Sequence, residues 1–228
     1  MNQPTIANTG DDSPPKAPVN FRPIRIKIGV LEKQEGTAYV SFGKTECVVQ
    51  VVGPRSSRSP LVAEKGKLEV TVCGAEGLVG PLKDAMTTII QLHKYPRASI
   101  SLNVSVLADD GGLVPVAMIA SSLALISAGI EVYDVCTAAR ILLMKDGQTI
   151  VDPPGPMREL PDGSVLLTVV IMPELNQIAY SEILGKFRPV EVEAKIGAAI
   201  EAANRLYPLI KKALIAHVQR RIDSGKKN

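Results

Sequence analysis

From Tyr95 to Asp134 the chain reads YPRASISLNVSVLADDGGLVPVAMIASSLALISAGIEVYD, and no other stretch constrains the fold as tightly. Ile100 to Leu107 alternates apolar and polar residues, the period of a half-buried strand. Asp109, Asp110, Gly111 and Gly112 then make a turn, and an apolar helix is expected from Val114, with Pro115 tolerated in its first turn. Strand, glycine turn and helix N-terminus aim free backbone N–H groups and the positive end of a helix dipole at one point, an arrangement that suits an anion. Yet no Arg, Lys, Ser or Thr stands between Asp110 and Ser121. The frame of a phosphate site is there without the side chains that would grip phosphate.

The remaining periodicities place further elements around this unit. Arg22 to Val30 reads as a strand, and Thr37 to Phe42 with Cys47 to Val52 as a hairpin turning at Gly43–Lys44. Lys67 to Val72 is another strand, and Pro81 to His93 carries apolar residues at helical spacing. In the second half, strands are expected at Val135 to Met144, Thr149 to Val151, Val165 to Met172 and Gln177 to Glu182. A helix follows from Val190 to about Ile222, kinked or restarted at Pro208. Val165 to Ile171 has only Thr168 as a polar residue, which suits a strand buried on both faces. Strands, helices, more strands and a closing helix predict an α+β layering.

At 228 residues the chain can bury a large core as one domain or as two fused halves. Its first 20 residues, rich in Pro, Ser, Asn and Asp, read as a disordered leader without the apolar stretch of a secretory signal. Residues 21–222 read as a single domain and 223–228 as a basic tail. The longest apolar runs are too short to span a bilayer. Cys47, Cys73 and Cys136 lie in apolar strand-like runs, an odd count without CxxC spacing, and are expected as buried reduced thiols. His93 and His217 lack metal-ligand spacing and are expected on helix surfaces. A net charge of +3 does not by itself indicate nucleic-acid binding, but basic residues gather at Arg22, Arg25 and Lys27, at Arg55 and Arg58, at Lys94 and Arg97, and from Lys211 onward. With aromatics at 4% and no Trp, any RNA contact should be to phosphates rather than to stacked bases.

YPRASISLNV, ADDGG and AMIASSLALISAGIEVYD resemble the ribonuclease PH family. GTAYVSFGKTECVVQVVGPR, IVDPP, VIMPELNQIA and RLYPLIKKAL resemble it too, in the same order from about Phe21 to Arg221. The family includes phosphorolytic exoribonucleases and the ring subunits of the eukaryotic RNA exosome. The resemblance implies the ribonuclease PH-like fold (ribosomal protein S5 domain 2-like), a duplicated βαβα unit with mixed sheets packed on helices. Phosphorolysis needs an Arg and hydroxyl or backbone donors for phosphate, and a carboxylate for the leaving oxygen. By the resemblance, active members continue the glycine turn into a Ser/Thr–Arg pair and carry an acid in the strand before the methionine–proline turn. Val114 and Leu166 stand at those positions here. Asp152 and Asp162 flank the region, but in Pro/Gly turns where Asp serves the backbone.

The resemblance therefore implies a non-catalytic subunit of a six-membered exosome ring, with no metal and no cofactor. Its partners would be other ribonuclease PH-like ring subunits, RNA-binding cap subunits and single-stranded RNA, with no membrane. Its setting would be nucleus, nucleolus and cytoplasm, in 3′-to-5′ RNA degradation and rRNA processing. Arg97, after Tyr95–Pro96, is the foremost RNA-contacting candidate, with Lys94, Arg55 and Arg58 beside it; for each the alternative is plain solvated charge. Two rivals remain at this point: a working phosphorolytic exoribonuclease, and an inactive half that lends residues to a composite site.

Overall fold

A computed structural model describes residues 21–30, 36–56, 64–155, 160–186 and 189–225. The expected leader (1–20), Arg58 and the last three residues of the tail lie outside them. Five strands form the first sheet: β1 (Ile24–Ile28), β2 (Thr37–Phe42), β3 (Thr45–Ser56), β4 (Lys67–Cys73) and β5 (Ala98–Ala108), in the order β1-β2-β3-β5-β4. The β2–β3 hairpin turns at Gly43–Lys44, with Phe42 opposite Thr45. Helix α1 (Val79–Ile89) crosses from β4 to β5, which therefore pair in parallel, whereas all other neighbours in this sheet are antiparallel.

Helix α2 (Leu113–Ser127) follows the glycine turn, and only Leu113, Val114 and Ile126 escape full burial. A helix apolar all round must be covered all round. Here β2 and β3 lie on one side of it and β6 (Thr137–Leu143) and β8 (Val165–Met172) on the other. The second sheet, completed by β7 (Thr149–Val151) and β9 (Gln177–Gly185), is antiparallel in the order β7-β6-β8-β9. All eight residues of β8 are buried. Val165, Leu167, Val169 and Ile171 pack with Ala199, Ala202 and Ala203 of α3 (Pro189–Asn204), while Val170 and Met172 join the α2 core. The layers thus run sheet, α2, sheet, α3, the α+β layering that the periodicity predicts.

Of the two outcomes expected at Pro208, a kink or a restart, the structure shows the restart, while Cys73 and His217 depart from expectation. The closing helix is two helices, α3 and α4 (Tyr207–Gly225), because the chain breaks at Arg205–Leu206. Pro208 then lies in the first turn of α4, where its missing N–H costs nothing, so it opens a helix rather than kinking one. Cys73 is exposed, since β4 is an edge strand and Cys73 points to its open face; Cys47 and Cys136 are buried free thiols, pushed up to about 12 by that burial. His93 lies exposed in a short 3-10 turn (Leu92–Lys94), its ring 6.3 Å from that of Tyr133.

His217 is the other departure, being buried on α4 rather than lying on its surface. Its Nε2 is 3.3 Å from Ser127 Oγ, and Arg221 Nη1 donates to the Ser127 carbonyl at 3.3 Å, so this pair fastens α4 to the C-terminus of α2. Burial, and then Arg220 and Arg221, hold the imidazole pKa below its ordinary value. The neutral form is therefore the one that the fold favours. The stability this contributes is whole above the ordinary histidine range near 6.5 and is lost as pH falls toward the depressed value. The thermal midpoint should accordingly drop between pH 7.5 and 5.5, and His217→Gln should flatten that dependence in a pH series of melts.

Candidate functional site

Arg22 grips the glycine turn through its carbonyl oxygens. Arg22, on the approach to β1, donates from Nη1 to the Asp110 carbonyl at 2.9 Å and from Nη2 to the Gly111 carbonyl at 2.8 Å. Thr45 Oγ1 also donates to the Gly111 carbonyl at 2.6 Å and accepts from Asp110 N at 3.0 Å. Gly111 has a φ of 83°, and a Cβ there would lie 2.2 Å from the Gly155 carbonyl oxygen, so only glycine fits. Gly155 N in turn donates to the Asp110 carbonyl at 2.8 Å. The loop after β7 and the turn after β5 are thereby laced together.

Asp152 completes this clamp. Arg22 Nε donates to its Oδ2 at 2.8 Å and Nη2 to its Oδ1 at 2.7 Å, a two-pronged pair joining residues 130 apart in sequence. The backbone N–H of Arg22 adds a third bond to Oδ2 at 3.2 Å. Side-chain exposure is 15% for Arg22 and 3% for Asp152, so the pair is largely out of water. Asp152 is structural, as its setting suggests, but through its carboxylate rather than its turn; its φ of 51° holds that carboxylate toward Arg22. Sequence reasoning placed Arg22 only among surface basic residues, and no local signal could have paired it with a residue so distant.

Where active members of the family are expected to bind phosphate and handle the proton, the side chains are apolar. Val114 is half-buried in the first turn of α2, and Leu166 is 1% exposed in β8. The charged groups nearby are of both signs, with carboxylates in excess. Arg140 of β6 stands opposite Thr168, which stands opposite Glu182 of β9. Burial lowers the Arg140 pKa, while Asp109, Glu182 and Asp152 oppose the shift. Asp110 and Asp109 act on Arg22 in the same sense. Two guanidiniums thus stand among the carboxylates of Asp109, Asp110, Asp152 and Glu182, a negative balance that repels an incoming phosphate. Among the described residues, no group of three or more His, Cys, Asp or Glu is arranged to hold a metal ion.

A basic rim lies elsewhere, at one end of the first sheet. Arg55 of β3 and Lys67 of β4 both stand opposite Ser99 of β5, just past Arg97, so three cations meet at that end. Lys67 is paired with Glu69 at 2.9 Å, and Lys94 with Glu131, which neutralises two of the local charges. Arg97 and Arg55 are exposed. Arg97 occupies the third place of a Tyr95–Pro96–Arg97–Ala98 turn closed by Ala98 N donating to the Tyr95 carbonyl at 3.2 Å, and its φ is 57°. That place in a type II turn ordinarily belongs to Gly or Asn. The structure therefore brings Arg97 and Arg55 together, with Lys94 already engaged.

Comparison with known proteins fixes the family. The profile of the 3′ exoribonuclease family, domain 1, matches residues 20–80 and 78–131, the stretch from β1 to the end of α2. The chain belongs to the ribonuclease PH family. Exosome complex component MTR3 from Homo sapiens is 26% identical over 90% of this chain and 86% of its own length. The Mus musculus protein of that name is 27% identical over 96% and 92%. Exosome complex component Rrp41 from Thermococcus kodakarensis is 27% identical over 85% and 84%. In three dimensions the ribonuclease PH fold is shared with rice (Oryza sativa) Rrp46, at a TM-score of 0.77, 23% identity, and coverage of 87% of this chain and 97% of that one.

The clamp has a measurable consequence. Arg22→Met leaves the Asp152 carboxylate buried without its partner, a loss of about 3–5 kcal/mol. Arg22→Met combined with Asp152→Leu should recover part of that loss. Urea denaturation of the two single variants and the double variant would give the coupling, and additive effects would show that the pair is not what joins these segments.

Proposed function

We propose that this chain is a non-catalytic subunit of the exosome's hexameric ring, forming subunit interfaces and part of the RNA channel. The work of the assembly would be 3′-to-5′ RNA degradation and rRNA processing. Two observations support this. Over nearly its whole length the chain is similar to exosome components. And its glycine turn is occupied through its carbonyls by Arg22, with Val114 and Leu166 in place of the phosphate-binding Arg and the acid. A lost charge-assisted bond costs about 1.5–3 kcal/mol. A lost acid or base removes roughly 10²–10⁴ in rate. Together they leave a site that does not turn over. RNA-binding cap subunits would be further partners, and nucleus, nucleolus and cytoplasm the setting.

The part in RNA handling rests on Arg97. A non-glycine residue held in the left-handed region costs about 1–2 kcal/mol, and such a cost persists where the side chain is needed. Lending Arg97 and Arg55 to a neighbour's composite site is the second reading, favoured by their shared exposure at one end of the sheet.

The purified chain should release no nucleoside diphosphate from single-stranded RNA in the presence of phosphate; phosphate-dependent release by this chain alone would overturn the non-catalytic reading. Arg97→Gly should stabilise the chain by about 1 kcal/mol through relief of its backbone. In the assembled ring the same change should weaken RNA binding alike across sequences. It should also reduce the slope of log K against log salt by about 0.7, the value for one phosphate contact on a single strand. Unaltered affinity and slope would make Arg97 plain surface charge.

A further inference from the structure

Two loops are laced together beside Arg97. Residues 90–97 lead from α1 into β5, and residues 129–134 follow α2. Ile90 and Val132 pair as an isolated antiparallel bridge. Gln91 N donates to the Glu131 carbonyl at 3.1 Å, and Tyr133 N to the Ile89 carbonyl at 2.9 Å. Gln91 Nε2 donates to the Val132 carbonyl at 3.0 Å, and Glu131 N to the Tyr95 hydroxyl at 2.8 Å. The Lys94–Glu131 ion pair closes the lacing on the outside. Backbone held at so many points fixes where its side chains stand.

What these loops present is a pair of rings. Tyr133 is 51% exposed and His93 is exposed beside it, their ring centroids 6.3 Å apart and their planes 30° from each other. A tyrosine that serves the fold behaves as Tyr95 does, packing its ring against the core and accepting a backbone N–H at its hydroxyl. Tyr133 belongs to neither core cluster, and its ring meets another exposed ring instead. Neither loop exposes a second large apolar side chain, so the pair is not part of an aliphatic docking patch. Cations adjoin it: Lys94 and Arg97 follow His93 in the same loop, and the β3–β5 ladder brings Arg55 to the start of β5. Flat rings among cations are what a single strand requires, its bases stacking on the rings while its phosphates follow the charge.

We propose that His93 and Tyr133 form a stacking site for a base of single-stranded RNA, beside the phosphate contact at Arg97. The inference rests on the RNA-channel part of the reading above and adds a base contact to it. It departs from the expectation drawn from composition, because two rings held in place suffice where aromatics are few. Stacking takes any base by its flat face, so the site carries affinity rather than a sequence code.

The test uses the ring assembled by co-expression with the other ribonuclease PH-like subunits, and reads binding by fluorescence anisotropy. The probes are labelled oligoadenosine and an abasic ribose-phosphate oligomer of the same length. Tyr133→Ala should keep the thermal melt and weaken oligoadenosine binding by about fivefold or more. The slope of log K against log salt should stay as it is, since no charge is removed. Tyr133→Phe should bind like the wild type, and His93→Leu should weaken binding as Tyr133→Ala does. The abasic oligomer should bind the wild-type and Tyr133→Ala rings equally. Unaltered oligoadenosine affinity in Tyr133→Ala overturns the proposal, as does an equal loss with the abasic oligomer. Failure of Tyr133→Ala to enter the ring overturns it too, by making the pair a protein contact. If the wild-type ring binds no oligoadenosine at all, it is the RNA-channel reading that fails, and this site with it.

Discussion

The pairing of Arg22 with Asp152 is the constraint on which the arrangement of the two halves depends. One guanidinium holds the entry to the first sheet, the turn that opens α2 and the loop that leaves the second sheet. It does so by directing its donors to two carbonyls and one carboxylate, and the carboxylate, 3% exposed, could not be left without a partner. Thr45 and Gly155 then satisfy the remaining atoms of the turn. Because α2 is buried between the sheets, whatever fixes its first residue fixes the packing of both. A turn shaped to receive an anion from outside has become a turn that receives a cation from within.

Much of the architecture was legible because it is local. The β2–β3 hairpin follows from Gly43–Lys44 between two β-branched runs, α2 from an apolar stretch behind a glycine turn, and the double burial of β8 from a run interrupted only by Thr168. What stayed hidden is long-range or positional. Asp152 looks like any Asp in a Pro-rich turn until Arg22, 130 residues earlier, is placed beside it. His217 has the sequence context of a basic surface helix and is buried only because the end of β1 and the C-terminus of α2 close over it. Pro208 left a kink and a restart both open, because the break at Arg205–Leu206 lacks the glycine that ordinarily marks a helix end.

The candidate site was legible mainly as an absence. Val114 and Leu166 mark where groups are missing, and the resemblance to the family gives those positions meaning. The sequence does not reveal which charges surround them, since Asp109, Glu182 and Arg140 come from three strands or turns far apart in the chain. At the basic rim, Arg55 and Arg97 belong to segments more than 40 residues apart, which the β3–β5 ladder brings to one end. The left-handed backbone of Arg97 could be suspected from the proline before it, but only a fold closing the turn onto Tyr95 makes it necessary.

The complete burial of β8 limits what its positions can carry. Leu166 is packed on a strand with no solvent-facing residue, so a carboxylate placed there would meet an apolar wall and stay protonated near neutral pH. Regaining an ionised acid would require the neighbouring side chains to shrink or turn polar in the same step, and each such change alone weakens the core. An ionised carboxylate on this strand is thus a matter of repacking its neighbours and not of a single substitution.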